Sequence, residues 1–124
     1  MRVNVDAFEK LDRVIHEQGR MAIMSLLAAS ETLSFKELKD LLGMTDGNLS
    51  VHMRKLEESG YVAVHKSFVN RKPRTEYSLT AEGRAAFGEY ISALETIVAQ
   101  SRQLERPAQA EATRPRLELG IAPG

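Results

Sequence analysis

The chain has 124 residues, no cysteine, and 17 Lys/Arg against 17 Asp/Glu, so its formal net charge is zero. That length predicts one domain with a modest core. The missing thiols exclude disulfides and thiolate metal sites, and neutrality removes any argument from bulk charge for an anionic partner.

The N-terminal stretch MRVNVDAFEKLDRVIHEQ is charged throughout and lacks the apolar core of a signal peptide. No apolar run approaches the roughly 20 residues that cross a bilayer, so a cytoplasmic location and no membrane partner are expected. Phe8, Leu11 and Ile15 recur at helical spacing and predict a helix over residues 6 to about 16. Gly19 is expected to break the chain, and residues 20–29, rich in Met, Ile and Leu, to form a second, mostly buried helix. Thr32 and Leu33 suggest a very short strand. Ser34-Phe35-Lys36-Glu37 has the capping-box pattern, which predicts a third helix to about Leu42 that Gly43 stops. Thr45 or Asp46 caps a fourth helix to about Ser59, ended by Gly60.

Residues 61–66 alternate as a strand, 69–74 read as a turn-rich loop, and 75–79 as the return strand. Pro73 argues against a central ladder there, because it lacks the N–H. Thr80 caps a final helix to about Glu105, with Phe87, Ile91, Leu94 and Val98 on one face. From Pro107 the composition turns to Pro, Ala and Gly with scattered charges. A folded unit over 1–106 and a disordered tail over 107–124 are therefore expected.

Three helices, a tight turn, a fourth helix and a hairpin make the order of a winged helix-turn-helix, mainly α with a small β-hairpin. On the fourth helix Leu49, Met53 and Leu56 form an inward stripe. The opposite side carries Gly47, Val51, Arg54 and Glu58, flanked by Asn48, Ser50 and Lys55. Small hydrogen-bonding residues followed by cations suit a helix entering the major groove of DNA, where amides and hydroxyls read base edges and cations meet phosphates. The outward angle of Val51 suits either a thymine methyl or plain exposure. Arg71, Lys72 and Arg74 on the hairpin loop suit phosphates or a narrow minor groove. The charge is local: residues 48–74 hold six Lys/Arg and two acids.

The stretches GMTDGNLSVHMRKLEESGYV and KSFVNRKPRTEYSLTAEGR resemble the small winged-helix transcriptional regulators related to the MarR and ArsR families, over residues 11 to 94. The resemblance implies a homodimer on double-stranded DNA, with a recognition helix in the major groove and a wing beside it. By position it implies recognition contacts at Thr45, Asn48, Ser50, Val51 and Arg54, and wing contacts at Arg71 and Arg74; the outward helix face and the basic loop add Lys55 and Lys72 as candidates. Two positions depart from the family pattern: Val51, where Arg is frequent, and Gln18, where Pro often precedes the second helix.

The final helix is longer than a small domain needs to cover its own core. The expected two-fold dimer is therefore built from the terminal helices, about 5–17 and 80–105, through Phe8, Leu11, Ile15, Phe87, Ile91, Leu94 and Val98. Two alternatives carry the same fold: a protein-interaction module that does not bind DNA, and a sensor whose small-molecule effector sits between dimer helices, near Phe87 and Tyr90. His16, His52 and His65 lack any recognised metal spacing. Glu57 and Glu58, adjacent on a helix, point about 100° apart with no nucleophile nearby in sequence. No Gly-rich phosphate loop occurs. The expectation is no enzyme, no metal and no cofactor.

Overall fold

The computed structural model describes residues 5–113. The elements in order are α1 (Asp6–Glu9), α2 (Gln18–Ala28), β1 (Leu33–Ser34), α3 (Phe35–Leu42), α4 (Asp46–Glu58), β2 (Val62–Val69), β3 (Lys72–Leu79) and α5 (Ala81–Thr113). The strands form one antiparallel sheet in the order β1-β3-β2. The expected hairpin is therefore widened at its base, where Leu33 pairs with Tyr77 and Ser34 with Glu76.

The local start and stop signals act as their chemistry dictates. Ser34 accepts from the Glu37 amide at 3.0 Å while the Glu37 carboxylate accepts from the Ser34 amide at 2.8 Å, closing the capping box. Those hydrogen bonds hold the Glu37 carboxyl below its ordinary pKa, the backbone bond from Ser34 first. Gly43 ends α3 in the left-handed conformation, φ 64°.

Two expectations near the N-terminus are corrected. The first helix stops at Glu9 instead of running to His16. Asp12 explains the stop: its Oδ1 accepts from the amides of Val14 and Ile15 at 2.8 and 3.1 Å, offering the backbone an alternative to a helical ladder. Gly19 does not break the chain but lies in the first turn of α2, capped by Glu17, which accepts from the Arg20 amide. A Cβ on Gly19 would lie 2.7 Å from Nε2 of His52, so the missing side chain lets α2 approach α4.

The core joins Ile15, Ile23, Met24, Leu27, Leu38, Leu49, Met53, Leu56, Val62, Tyr77 and Tyr90. Every helix but the short α1 therefore contributes to the same cluster. Fully burying one such aliphatic side chain contributes about 1.5–3 kcal/mol. Tyr90 locks α5 onto the α1–α2 segment, with its hydroxyl 2.8 Å from His16 Nδ1 and 3.3 Å from Met21 Sδ. Phe87 stacks on the same ring, the two centroids 6.3 Å apart. Both aromatics pack with the core cluster of their own chain.

The start of α5 is fixed against the α4–β2 junction. Thr80 accepts from the Gly83 amide at 2.9 Å and donates to the Gly60 carbonyl at 2.6 Å. Gly83 is required here, since a Cβ would sit 2.1 Å from the Tyr61 carbonyl oxygen. Where the composition change predicts an end near Glu105, α5 continues to Thr113. The run Ala108-Gln109-Ala110-Glu111-Ala112 has high helix propensity, which a Pro/Gly-weighted reading overlooks. The rest of the expected tail, 114–124, lies outside the described residues.

Candidate nucleic-acid interface

Thr45 starts α4 by accepting from the Asn48 amide at 3.1 Å. Lys39 at the end of α3 meets Asp46 in the first turn of α4 at 2.9 Å, spanning the turn between the two helices. That contact raises the Lys39 pKa, chiefly through the hydrogen bond itself. The inward stripe is buried as its spacing requires, with Leu49 and Leu56 fully covered and Met53 nearly so. The opposite side is open: Thr45, Asn48, Val51, Arg54 and Lys55 are exposed, Val51 by 58%, and Ser50 is half-buried. All six residues read from sequence as recognition contacts lie on this one helix or its cap.

His52, on the border of that stripe, belongs to a cluster that sequence spacing does not reveal. Its Nδ1 lies 3.3 Å from the Arg20 guanidinium and 3.7 Å from the Glu17 carboxylate. The hydrogen bond from the Arg20 amide, aided by the charges of His52 and Arg20, lowers the Glu17 pKa. Arg20 in turn donates to the Val14 carbonyl. This polar cluster ties α4 to the α2 N-terminus.

The hairpin corrects the expected loop. β2 and β3 pair without interruption from Val62↔Leu79 to Val69↔Lys72, leaving only Asn70 and Arg71 in the turn. Both have positive φ, 53° and 67°, the signature of a type I′ turn that matches strand twist. Pro73 sits within β3 without loss. Val69↔Lys72 closes the turn with hydrogen bonds, so at the next pair, Phe68↔Pro73, the nitrogen of residue 73 points away from β2. β1 reaches β3 only at Glu76 and Tyr77, so no partner on that side lacks a donor.

The three wing cations are consequently not equivalent. Arg71 occupies the tip and Lys72 the first position of β3, both exposed. Arg74 is drawn back onto its own chain, 3.1 Å from Glu76 and 3.9 Å from Glu37. Among the described residues, Arg54, Lys55, Lys66, Arg71 and Lys72 have no ion-pair partner. Their charge is available to phosphate without breaking a bridge. Lys66, two residues before Phe68 on β2, adds an exposed cation on the wing that the motif alone does not single out. A cleft of about 560 Å³ separates the wing from the start of α3, lined by Phe35, Lys36, Asn70, Lys72 and Arg74 among others.

A profile of the winged helix DNA-binding domain matches residues 20–98. The chain belongs to this winged-helix family. An uncharacterised protein of Methanocaldococcus jannaschii is 39% identical over 79 residues, covering 64% of this chain and 86% of the relative. A helix-turn-helix-type transcriptional regulator of Halalkalibacterium halodurans is 40% identical over 68 residues, 54% of this chain and 59% of its own length. Among solved structures, a transcriptional regulator homologue from Pyrococcus horikoshii superposes with a TM-score of 0.73 at 26% identity, over 77% of this chain and 97% of the other. A complex of S. aureus MepR with DNA shares the fold, with a TM-score of 0.65 at 17% identity over 89% of each chain. The MarR/ArsR-like character read from the motif is thus that of a winged-helix transcriptional regulator family, and its matched region runs from α2 into α5.

Of the seven residues assigned to a dimer face, this winged helix leaves Phe8, Ile91 and Val98 exposed. Ile15 is fully covered by its own chain and so is unavailable to a partner, while Leu11, Phe87 and Leu94 are half-buried against the core. Among the described residues no three His, Asp or Glu side chains gather as a metal site, and no helix is long and apolar enough to cross a membrane.

Proposed function

We propose that this winged-helix protein regulates transcription by binding a specific duplex as a homodimer, with α4 in the major groove and the hairpin as the wing. The observation that carries the reading is the placement of uncompensated charge in a neutral chain. The cations free of ion pairs include Arg54 and Lys55 on the exposed side of α4, and Lys66, Arg71 and Lys72 on the hairpin. Phosphate contacts from these would position α4, while Asn48, Ser50 and Val51 present amide, hydroxyl and methyl groups to base edges. MepR, which shares the fold, is seen in a complex with DNA, and that supports duplex binding as the reading here.

The dimer would use the exposed apolar side chains of α1 and α5. Its half-sites would then form a pseudo-palindrome spaced by about one helical turn, roughly 10 bp, or a multiple. The test is selection from a random-sequence duplex pool, followed by titration of the enriched duplex across a KCl series. Enrichment of an inverted repeat with a steep salt dependence is the expected result. Failure to enrich any sequence would replace this reading with that of a protein-interaction module.

A further inference from the structure

Two large apolar side chains stand in the open on the wing: Phe68 is 75% exposed and Val69 49%. Strand alternation places Phe68 on the face that carries Val62, Val64 and Lys66, opposite Pro73, Thr75 and Tyr77 of β3. Near the base of the sheet this face is core, since Val62 and Tyr77 are buried. At the far end the same face continues, and among the described residues nothing covers Phe68.

The pair Phe68↔Pro73 follows the pair that closes the turn and is therefore the non-hydrogen-bonded kind, in which opposed side chains lie closest. The proline ring fixes its own backbone, so the two residues make a stiff apolar edge. Lys66 on the same face and Arg71 and Lys72 at the turn surround that edge with charge that no acid among the described residues pairs with. An apolar edge rimmed by cations complements a groove with apolar sugar walls and phosphates along both rims.

We infer that Phe68, backed by Pro73, makes an apolar contact in the minor groove of the bound duplex. Its ring packs on deoxyribose and base edges while Lys66, Arg71 and Lys72 meet the flanking phosphates. Such a contact reads groove width and ease of unstacking instead of a hydrogen-bond pattern, and it favours flexible pyrimidine–purine steps. This rests on the DNA-binding reading above.

The experiment compares Phe68→Ala and Phe68→Leu with the wild type on a duplex that the wild type enriches from a random pool, across a KCl series. Loss of a buried ring predicts about ten- to a hundredfold weaker binding for Phe68→Ala, with most affinity retained by Phe68→Leu. The salt slope should not change, because no cation is removed. The melting temperature should also hold, because the ring is exposed in the free protein. Equal affinity of Phe68→Ala and wild type on that duplex overturns this inference alone, as does a change in salt slope. A shift in mass by light scattering identifies the ring as a protein contact and overturns it too. So does retained duplex affinity with lost binding to phosphatidylserine vesicles. If the wild type enriches no duplex, the DNA-binding reading falls first and takes this contact with it.

Discussion

Arg71 allows stability and function to be set against each other in one substitution. It occupies the second turn position with φ 67°, where a type I′ turn favours glycine. A residue with a Cβ in the left-handed region costs roughly 1–2 kcal/mol. Glycine relieves that strain but loses about 0.5–1 kcal/mol through the greater freedom of the unfolded chain. Arg71→Gly should therefore stabilise the fold by about 0.5–1 kcal/mol, read as a rise of about 2–4 °C in Tm for a chain of this size. The same change removes one free guanidinium per protomer, two in the proposed dimer. With about 0.9 per phosphate contact, the slope of log affinity against log salt should fall by about 2. Arg74→Ala should lower it less, because Arg74 already pairs with Glu76 and Glu37. Calorimetry and fluorescence anisotropy across a salt series measure the two halves. A lowered Tm refutes the strain argument, and an unchanged salt slope refutes the role of the tip.

Three further outcomes are expected. Gly83→Ala drives a Cβ to 2.1 Å from the Tyr61 carbonyl oxygen and should destabilise by about 3 kcal/mol, as overpacking against rigid backbone does; a loss under about 1 kcal/mol in urea unfolding contradicts the close approach. The hydrogen bond from Tyr61 to Asp12, with burial behind it, pushes the phenol from 10.0 up to about 12. A folded-state pKa above the unfolded value stabilises fully below pH 10 and is lost as pH rises towards 12. Tyr61→Phe should thus cost about 1–2 kcal/mol at neutral pH and show a smaller alkaline loss than the wild type, with Tyr77 and Tyr90, both raised by burial, supplying part of the rest. Identical alkaline profiles would remove the hydrogen bond as the cause. Finally, Ile91→Glu with Val98→Glu places charge on the exposed apolar face of α5 and should convert the proposed dimer to a monomer by light scattering; a double variant that keeps a dimer mass moves the interface elsewhere.

What could be read from the chain depended on how far each interaction reaches. The capping box of Ser34 and Glu37, the stops at Gly43 and Gly60, the Thr45 cap and the stripe of Leu49, Met53 and Leu56 involve residues within a turn or two of one another. Local hydrogen bonding and periodicity carry that information completely. The exposed side of α4 was legible for the same reason, because once the inward stripe is known the outward side follows. The wing was legible as a basic hairpin, but the length of its strands and its two-residue turn were not. Pro73 is tolerated only in the register that turns its nitrogen away from β2, and register belongs to the paired strands.

The opening neutrality of the chain shows the division most plainly. Sequence alone determined that the charge is local, with six cations between Asn48 and Arg74, and that it falls on a helix and a hairpin of a winged-helix order. Only the tertiary structure decided which of those cations are free. Arg74 is taken up by Glu76 in its own strand and by Glu37 in α3, three elements earlier, while Lys66, Arg71 and Lys72 are left to the solvent. Likewise Asp12 ended the first helix, Gly19 became a contact with His52, and Ile15 entered the core. In each case the residue's role was set by a partner distant in sequence or by a competing side-chain hydrogen bond, neither of which composition or period records.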